Sequence, residues 1–326
     1  MICQKGLAWS LEMEAQDRLR YPLRRAGERG EGRWERISWD EALTEVADAI
    51  LDGIEEVGPE SLVHELSPQI VTTGSSSRFV GVLGGQILDV NATINDFHSG
   101  YQQTFGKFSF TPSHDDMFHS DLILIWHSNP AHTWSTVFHY VTEARYRGAE
   151  VILISTDVSP SHSHADYHIP VRHGTDIALA LSACQVVISE GLVDWGFAAS
   201  QTDLSLLVRC DTGEFLRQSH VERGGLDDRF FQAHPMNGVV PADPASLLLD
   251  FEPLAEGTLE VETVDAGRVA VEPLFGRVRR MLDERYTPEQ AAEICEVHPD
   301  TIRMLARKVA SRLTRTIPEA GVCKHY

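Results

Sequence analysis

The chain has 326 residues, 42% of them hydrophobic, enough to bury one large core or two ordinary ones. A formal charge of −20 argues against general binding to nucleic acid or to an anionic membrane surface, because both would repel it. No run approaches the roughly 18 consecutive apolar residues of a membrane-crossing helix.

No apolar segment follows a basic start at Met1, so no signal peptide is expected there. Polar residues run to Arg20. Tyr21–Arg25 and the glycine-rich Gly27–Gly32 then predict an extended connector. Ser38-Trp-Asp-Glu41 is a capping box, with Ser38 at the N-cap and Glu41 three residues on. The helix it opens should run to about Val57, bury Ala42, Leu43, Val46, Ala47, Ile50 and Ile54, and stop at Gly58. Gly74–Ser77 reads as a loop ahead of a helix. Its backbone N–H groups can cradle an anion, although a plain helix entry explains it more simply. Asn95–Gly100 and Phe105–Phe108 read as an irregular polar and aromatic stretch, and loops of that length in compact domains usually carry function.

The centre of the chain is more regular. Leu122–Trp126 is an unbroken apolar run of strand length, followed by the polar loop His127–Thr133. Thr136–Arg147 has helical spacing, with Val137, Tyr140, Val141 and Ala144 on one face and Gly148 as the stop. Val151–Ile154 is a second apolar run that ends in Ser155-Thr156-Asp157. Strand, helix and strand with continuous apolar strands predict a parallel βαβ unit. In such sheets ligands sit beyond the carboxyl ends of the strands, here Ser128-Asn129 and Thr156-Asp157. A carboxylate there suits a ribose or a guanine edge, since it accepts from hydroxyls and amines alike. The loop lacks G-x-G-x-x-G, which argues against an ordinary nicotinamide site. Ser128, Asn129 and Asp157 can equally be turn and capping residues.

Ala165–Val171 predicts a short third strand. Thr175 or Asp176 should then cap a helix from Ile177 to about Glu190. Arg172 and His173 at this strand end can offset phosphate charge, or form a solvated pair beside Asp176. Asp194–Arg217 reads as mostly helical with a break at Asp211–Gly213, and Arg223–Glu272 as loops and strands. Thr287–Cys295 and Pro299 to about Leu313 are two further helices; after Ile317-Pro318 no closing element is expected. Ten of the 15 histidines lie between His98 and His173, but without H-E-x-x-H or similar spacing a histidine-bound metal is a minor reading. The five cysteines form no C-x-x-C pair and predict neither a disulfide framework nor a zinc site. The expected architecture is α/β, an open and mostly parallel sheet with flanking helices. Residues 1–60 would be an N-terminal segment, 61–192 a cofactor-binding α/β domain, and 193–326 a second, incomplete α/β lobe.

Several segments in this order resemble the catalytic subunits of the molybdopterin (dimethyl-sulfoxide-reductase-type) oxidoreductases. They are Cys3-x-Lys5-Gly6, Arg18–Arg24, Gly30-Glu-Gly followed by Ile37-Ser-Trp-Asp-Glu-Ala-Leu43, Trp126-His-Ser-Asn-Pro130, Gly174-Thr-Asp176, and Thr287-Pro-Glu289 with its two helices. The resemblance runs along essentially the whole chain but covers an internal part of the family pattern, which normally adds cysteines ahead of Cys3 and a C-terminal cofactor-capping domain. It implies a molybdenum (or tungsten) ion held by two pyranopterin guanine dinucleotides, a 4Fe-4S cluster with most ligands outside this chain, and a separate iron–sulfur electron-transfer subunit. Oxygen-atom transfer or hydroxylation of a small-molecule or oxyanion substrate would be the chemistry, on either side of a membrane. By the same resemblance Ser128, Asn129, Thr133, Thr156, Asp157, His173, Gly174 and Asp176 are cofactor contacts, Cys3 is a cluster ligand, and Lys5 lies between cluster and pterin. Asp96 falls where the branch of nitrate, selenate and chlorate reductases and hydrocarbon or sulfide dehydrogenases has its molybdenum ligand, and a hard carboxylate oxygen suits that metal. An Asx turn is the other reading of Asp96. His98 and Lys107 would lie near the substrate. Two other classes remain: a cofactor-free α/β binding or scaffold protein, and a helix-turn-helix over Thr287–Arg312, whose Arg303, Arg307, Lys308 and Arg312 are nearly offset by nearby acidic residues.

Overall fold

The structure, a computed structural model, describes residues 4–65, 73–88, 99–106, 114–243, 249–311 and 316–318. The chain divides into two compact units, one of residues 1–112, 133–138 and 321–326, the other of 113–132 and 139–320. The fold is α/β throughout.

The first unit opens with a helix, α1 (Gln4–Met13), where only polar chain was expected. The expected connector closes into a hairpin of β1 (Leu23–Arg25) and β2 (Trp34–Arg36), antiparallel with Leu23 opposite Arg36. Its turn uses Gly30 and Gly32 at φ +96° and +69°, a region that suits a residue without Cβ. Helix α2 (Trp39–Glu56) begins as expected: Glu41 N–H donates to Ser38 Oγ (3.1 Å) and Ser38 N–H donates to the Glu41 carboxylate (2.8 Å). Its apolar face is not buried, however; no α2 residue is, and Leu43 and Val46 are 62% and 57% exposed. Periodicity specifies an apolar stripe, but burial needs a second surface, and the described residues lay none over it. A small parallel pair, β3 (Val63–Glu65) and β4 (Gln86–Leu88), is linked through α3 (Thr73–Val82). Gly74–Ser77 therefore sits inside that helix, not in a loop ahead of it. Ser99–Phe105, expected to be irregular, forms the short helix α4.

The second unit is organised by a parallel sheet. β5 (Leu122–Trp126) pairs with β6 (Glu150–Ser155), Leu122 opposite Glu150, and β6 pairs with β7 (Tyr167–Pro170). The connection from β5 to β6 runs through the single turn α5 (Pro130–Thr133) and helix α6 (Ser135–Tyr146), so the expected βαβ unit is present. An unexpected edge strand, β13 (Thr316–Pro318), adds parallel to β5, where the chain was expected to end without a closing element. On one sheet face Leu122, Leu124, Ile152, Ile154, Ile169 and Val171 pack with residues of α7 (Asp176–Ser189), α11 (Pro288–Cys295) and α12 (Pro299–Ser311). Ile123, Ile125, Val151 and Leu153, which face the other way by strand alternation, are also fully buried. A sheet buried on both faces explains why its strands read as continuous apolar runs.

The two C-terminal helices are part of this core. Ile302, Leu305, Ala306 and Ala310 are buried. Arg303 pairs with Glu289 (2.5 Å) and Asp300, Arg307 with Glu190 through two bonds of 2.8 Å, and Lys308 with Glu150 through two of 2.7 Å. Those basic side chains hold helices to the domain, so they are not a groove-reading surface; Arg312 lies outside the described residues.

Asp194–Arg217 departs from the helical expectation. After α8 (Trp195–Gln201) come β8 (Leu207–Arg209), the turn α9 (Gln218–Val221), the hairpin β9 (Phe231–His234) and β10 (Gly238–Pro241), β11 (Leu259–Thr263), β12 (Gly267–Pro273) and α10 (Leu274–Arg285); β8 pairs antiparallel with β12, itself paired with β11. Burial of Leu207 and Val208 against that sheet overrides local propensity. Arg209 is only 2% exposed and donates to Asp211 (3.0 and 2.8 Å) and Asp265 (2.8 Å). The hydrogen bonds from Arg209 bring the Asp211 carboxyl down to about 2. A carboxyl lowered on folding adds stability that is complete above its ordinary range near 4 and fades as pH falls towards 2. The urea midpoint should therefore drop between pH 5 and pH 2, and Asp211→Asn should make that drop shallower, measured by circular dichroism.

Candidate functional site

The carboxyl ends of β5 and β6 meet over a small polar cavity of about 110 Å³ lined by His127, Ser128, Asn129, Ser155, Asp157 and Ser159. Its walls are fixed from the sheet outward. The parallel ladder continues one residue past β5, with His127 N–H donating to the Ile154 carbonyl at 2.7 Å. The chain then leaves the sheet into α5. That loop is tied down by Ser161, a fully buried residue, whose hydroxyl donates to Asn129 Oδ1 (2.9 Å) and accepts from Ala131 N–H (3.1 Å).

The opposite wall is set by Ser155. Its hydroxyl donates to the Asp157 carbonyl at 2.8 Å, and His168 Nε2 lies 3.0 Å from Ser155 Oγ. With the serine proton spent on Asp157, the imidazole nitrogen is the donor, which assigns the Nε2–H tautomer. Burial and then the neighbouring His162 push the His168 pKa down, consistent with a neutral ring. His162 stacks edge-on against it at 4.7 Å between centroids.

Two hydroxyls in this cavity, Ser128 Oγ and Ser159 Oγ, are buried and have no hydrogen-bond partner among the described residues. An orphaned buried polar atom is costly, about 1–3 kcal/mol, and at a site it signals a missing partner such as water or a ligand. Asp157 lines the same cavity. This donor and acceptor set fits the hydroxyl and amine edges of a nucleotide's sugar or base. Asp176, at the start of α7, accepts from Trp126 Nε1 at 2.6 Å, and His127 Nε2 lies 2.8 Å from the same oxygen.

The structure thus brings Ser128, Asn129 and Asp157 together and joins Asp176 to the same strand end. Thr156 and His173 are exposed on this edge but do not line the cavity, and Gly174 provides a positive-φ turn (+79°) between β7 and α7. Thr133 closes α5 and is exposed. Arg172 lies 3.7 Å from Glu296. Thr175 occupies the expected N-cap of α7, but its hydroxyl donates to the Arg172 carbonyl (2.7 Å) and does not cap the helix. Cys3, Asp96, His98, Lys107 and the Lys5 side chain lie outside the described residues, although the Lys5 backbone falls within α1. Among the described residues no group of three or more His, Cys, Asp or Glu is arranged to hold a metal ion. His127, Ser155, Ser159 and Ser161 were not singled out from the sequence. Their adjacency to the strand ends was the only available signal, and Ser161 meets Asn129 across 32 positions of sequence.

Ser161→Ala strands the Ala131 N–H and removes one hydrogen bond from Asn129. It should cost about 1–3 kcal/mol of unfolding free energy, read from the urea midpoint at constant slope.

A family model described as molybdopterin oxidoreductase matches residues 18–275. The chain is 35% identical to the dimethylsulfide dehydrogenase alpha subunit of Rhodovulum sulfidophilum, over 94% of its own length and 34% of that protein. It is 35% identical to the chlorate reductase alpha subunit of Ideonella dechloratans, over 99% of itself and 36% of that protein. The figures for the respiratory nitrate reductase alpha subunit of Haloferax mediterranei are 35%, 94% and 33%. The chain therefore spans about a third of the length of the curated relatives it matches. Among solved structures, acetylene hydratase from Pelobacter acetylenicus shares the fold, with a TM-score of 0.59 and 24% identity, over 98% of this chain and 34% of that one.

Proposed function

The chain belongs to the molybdopterin oxidoreductase family, and on that premise we propose that it is part of an enzyme using molybdenum or tungsten bound by two pyranopterin guanine dinucleotides. The cavity at the carboxyl ends of β5 and β6 would take the nucleotide end of one of them. The observation that carries this reading is the pair of orphaned hydroxyls, Ser128 and Ser159, buried beside Asp157 where an open parallel sheet binds its ligands. Asp157 would accept from ribose hydroxyls or a guanine amine, Ser128 and Asn129 would complete the polar rim, and Asp176 would stiffen it. Thr133, Thr156, His173 and Gly174 would extend the contact along the same edge of sequence.

The metal and pterin, when bound, supply two-electron chemistry at a substrate oxygen or carbon, which no side chain of this protein can supply alone. The protein's own part is to bind and orient. Asp96 would offer a carboxylate oxygen to the metal, His98 and Lys107 would face substrate, Cys3 would ligate a 4Fe-4S cluster, and Lys5 would hydrogen-bond the pterin between cluster and metal. Electrons would pass to an iron–sulfur partner subunit. Support for a partner comes from the relatives, which are named as alpha subunits. The reaction would be oxygen-atom transfer or hydroxylation.

Guanosine 5′-diphosphate, titrated into the folded chain by calorimetry, tests the nucleotide reading directly. We expect binding, weakened about tenfold by Asp157→Ala, a difference of about 1.4 kcal/mol. A chain that is folded by circular dichroism yet takes up no nucleotide sinks this reading. Molybdenum content by elemental analysis, with and without Asp96→Ala, tests the ligand; metal retained by that variant removes Asp96 from its proposed role. A folded chain with neither nucleotide nor metal is what a cofactor-free α/β binding or scaffold protein would give.

A further inference from the structure

We propose that His127 is a positioning residue of the nucleotide cavity, held in a left-handed backbone conformation so that its imidazole and the Trp126 indole clamp one oxygen of Asp176. This deepens the nucleotide reading and rests on it.

Two non-glycine residues have positive φ among the described residues, Glu296 at +59° and His127 at +49°. Glu296 is the C-cap of α11, its N–H donating to the Ala292 carbonyl, and left-handed geometry is ordinary at that position. His127 ends no helix. Its N–H is still committed to the ladder at Ile154, while the next residues must leave the sheet for α5. Glycine makes such a turn without the clash a Cβ brings, so the backbone alone gives no reason for histidine here.

The side chain gives one. Along a regular strand successive side chains point to opposite faces, so Trp126 and His127 would diverge. Here they converge on one atom: Trp126 Nε1 donates to Asp176 Oδ1 at 2.6 Å, and His127 Nε2 lies 2.8 Å from the same oxygen, within ion-pair distance but off the line of a hydrogen bond. The left-handed turn at His127 is what allows two consecutive residues to reach one atom. That atom belongs to the first residue of α7, 50 positions along the chain from Trp126. The clamp therefore fixes the end of β5 against the start of α7. His127 also lines the cavity itself, next to Ser128 and its orphaned hydroxyl. Its work is to present Ser128 and Asn129 already ordered, so that a ligand does not bear the cost of fixing them.

The test uses guanosine 5′-diphosphate titrated into the full chain and four variants, with Asp157→Ala and thermal unfolding as controls. His127→Gly should bind about tenfold more weakly while melting within about 2 °C of the parent, because relief of the left-handed conformation offsets the lost contact and the added chain entropy. His127→Asn should recover most of the affinity, since asparagine tolerates this region and carries an amide donor. Asp176→Ala should weaken binding by a similar factor, and adding His127→Gly to it should weaken binding no further, the signature of two residues acting as one unit. Unchanged affinity in His127→Gly, with the parent chain binding and Asp157→Ala impaired, overturns the role of His127 and leaves the nucleotide reading intact. Losses that simply multiply in the double variant also overturn it. A parent chain that binds no nucleotide removes the broader reading and this one with it.

Discussion

The parallel ladder between β5 and β6 is the constraint on which the candidate site depends. Both faces of the sheet are buried, so every backbone N–H and carbonyl in it must find a partner within the sheet. The ladder meets that demand up to the bond from His127 N–H to Ile154 and no farther. Beyond it the chain must turn away, and groups that the ladder no longer pairs are left facing one another across two adjacent strand ends. Serines, an asparagine and an aspartate occupy those positions because only side chains can supply partners there. Some are satisfied internally, as Ser155 is by Asp157 and Ser161 by Asn129. Ser128 and Ser159 are not. The cavity is thus a consequence of where a buried parallel pair stops.

What the sequence made legible follows from how local each cause is. Leu122–Trp126 and Val151–Ile154 announce a doubly buried sheet because burial on two faces leaves no polar alternation. The capping box at Ser38 is readable because donor and acceptor lie three residues apart, and the structure adds a second at Thr287. Leu207–Arg209 was not readable as a strand, because its pairing partner begins near Val271. The α2 stripe was readable as apolar, yet its exposure depends on what surface it meets, which periodicity does not encode. His127 shows the same limit at the site: nothing in Trp-His-Ser-Asn-Pro reveals a positive φ or a carboxylate 49 residues onward, and both were needed to see what the imidazole does.

Two routes arrive at the same few residues. Strand-end reasoning pointed to Ser128, Asn129 and Asp157 without any family, and the family resemblance pointed to them without any geometry. The cavity holds all three. The family route reaches farther along the chain, to Cys3, Asp96, His98 and Lys107, where geometry among the described residues offers no second witness.

Charge then limits how a nucleotide can sit. Among the described residues no lysine or arginine lines the cavity, and Asp157 lies in its wall with Asp176 beside His127. A phosphate placed 5 Å from a carboxylate at an effective dielectric of about 20 is repelled by about 3 kcal/mol per unit charge. Ribose hydroxyls and base amines carry no such penalty and gain hydrogen bonds from the same oxygens. On the proposed reading, a cavity with this lining would favour the neutral end of a nucleotide over its phosphates. They would need hydrogen-bond donors from elsewhere along the strand ends, and His173 is exposed in the turn before α7 on that edge. In a chain carrying a net −20, such an arrangement makes recognition depend on the sugar and base, with the general field opposing a bare anion.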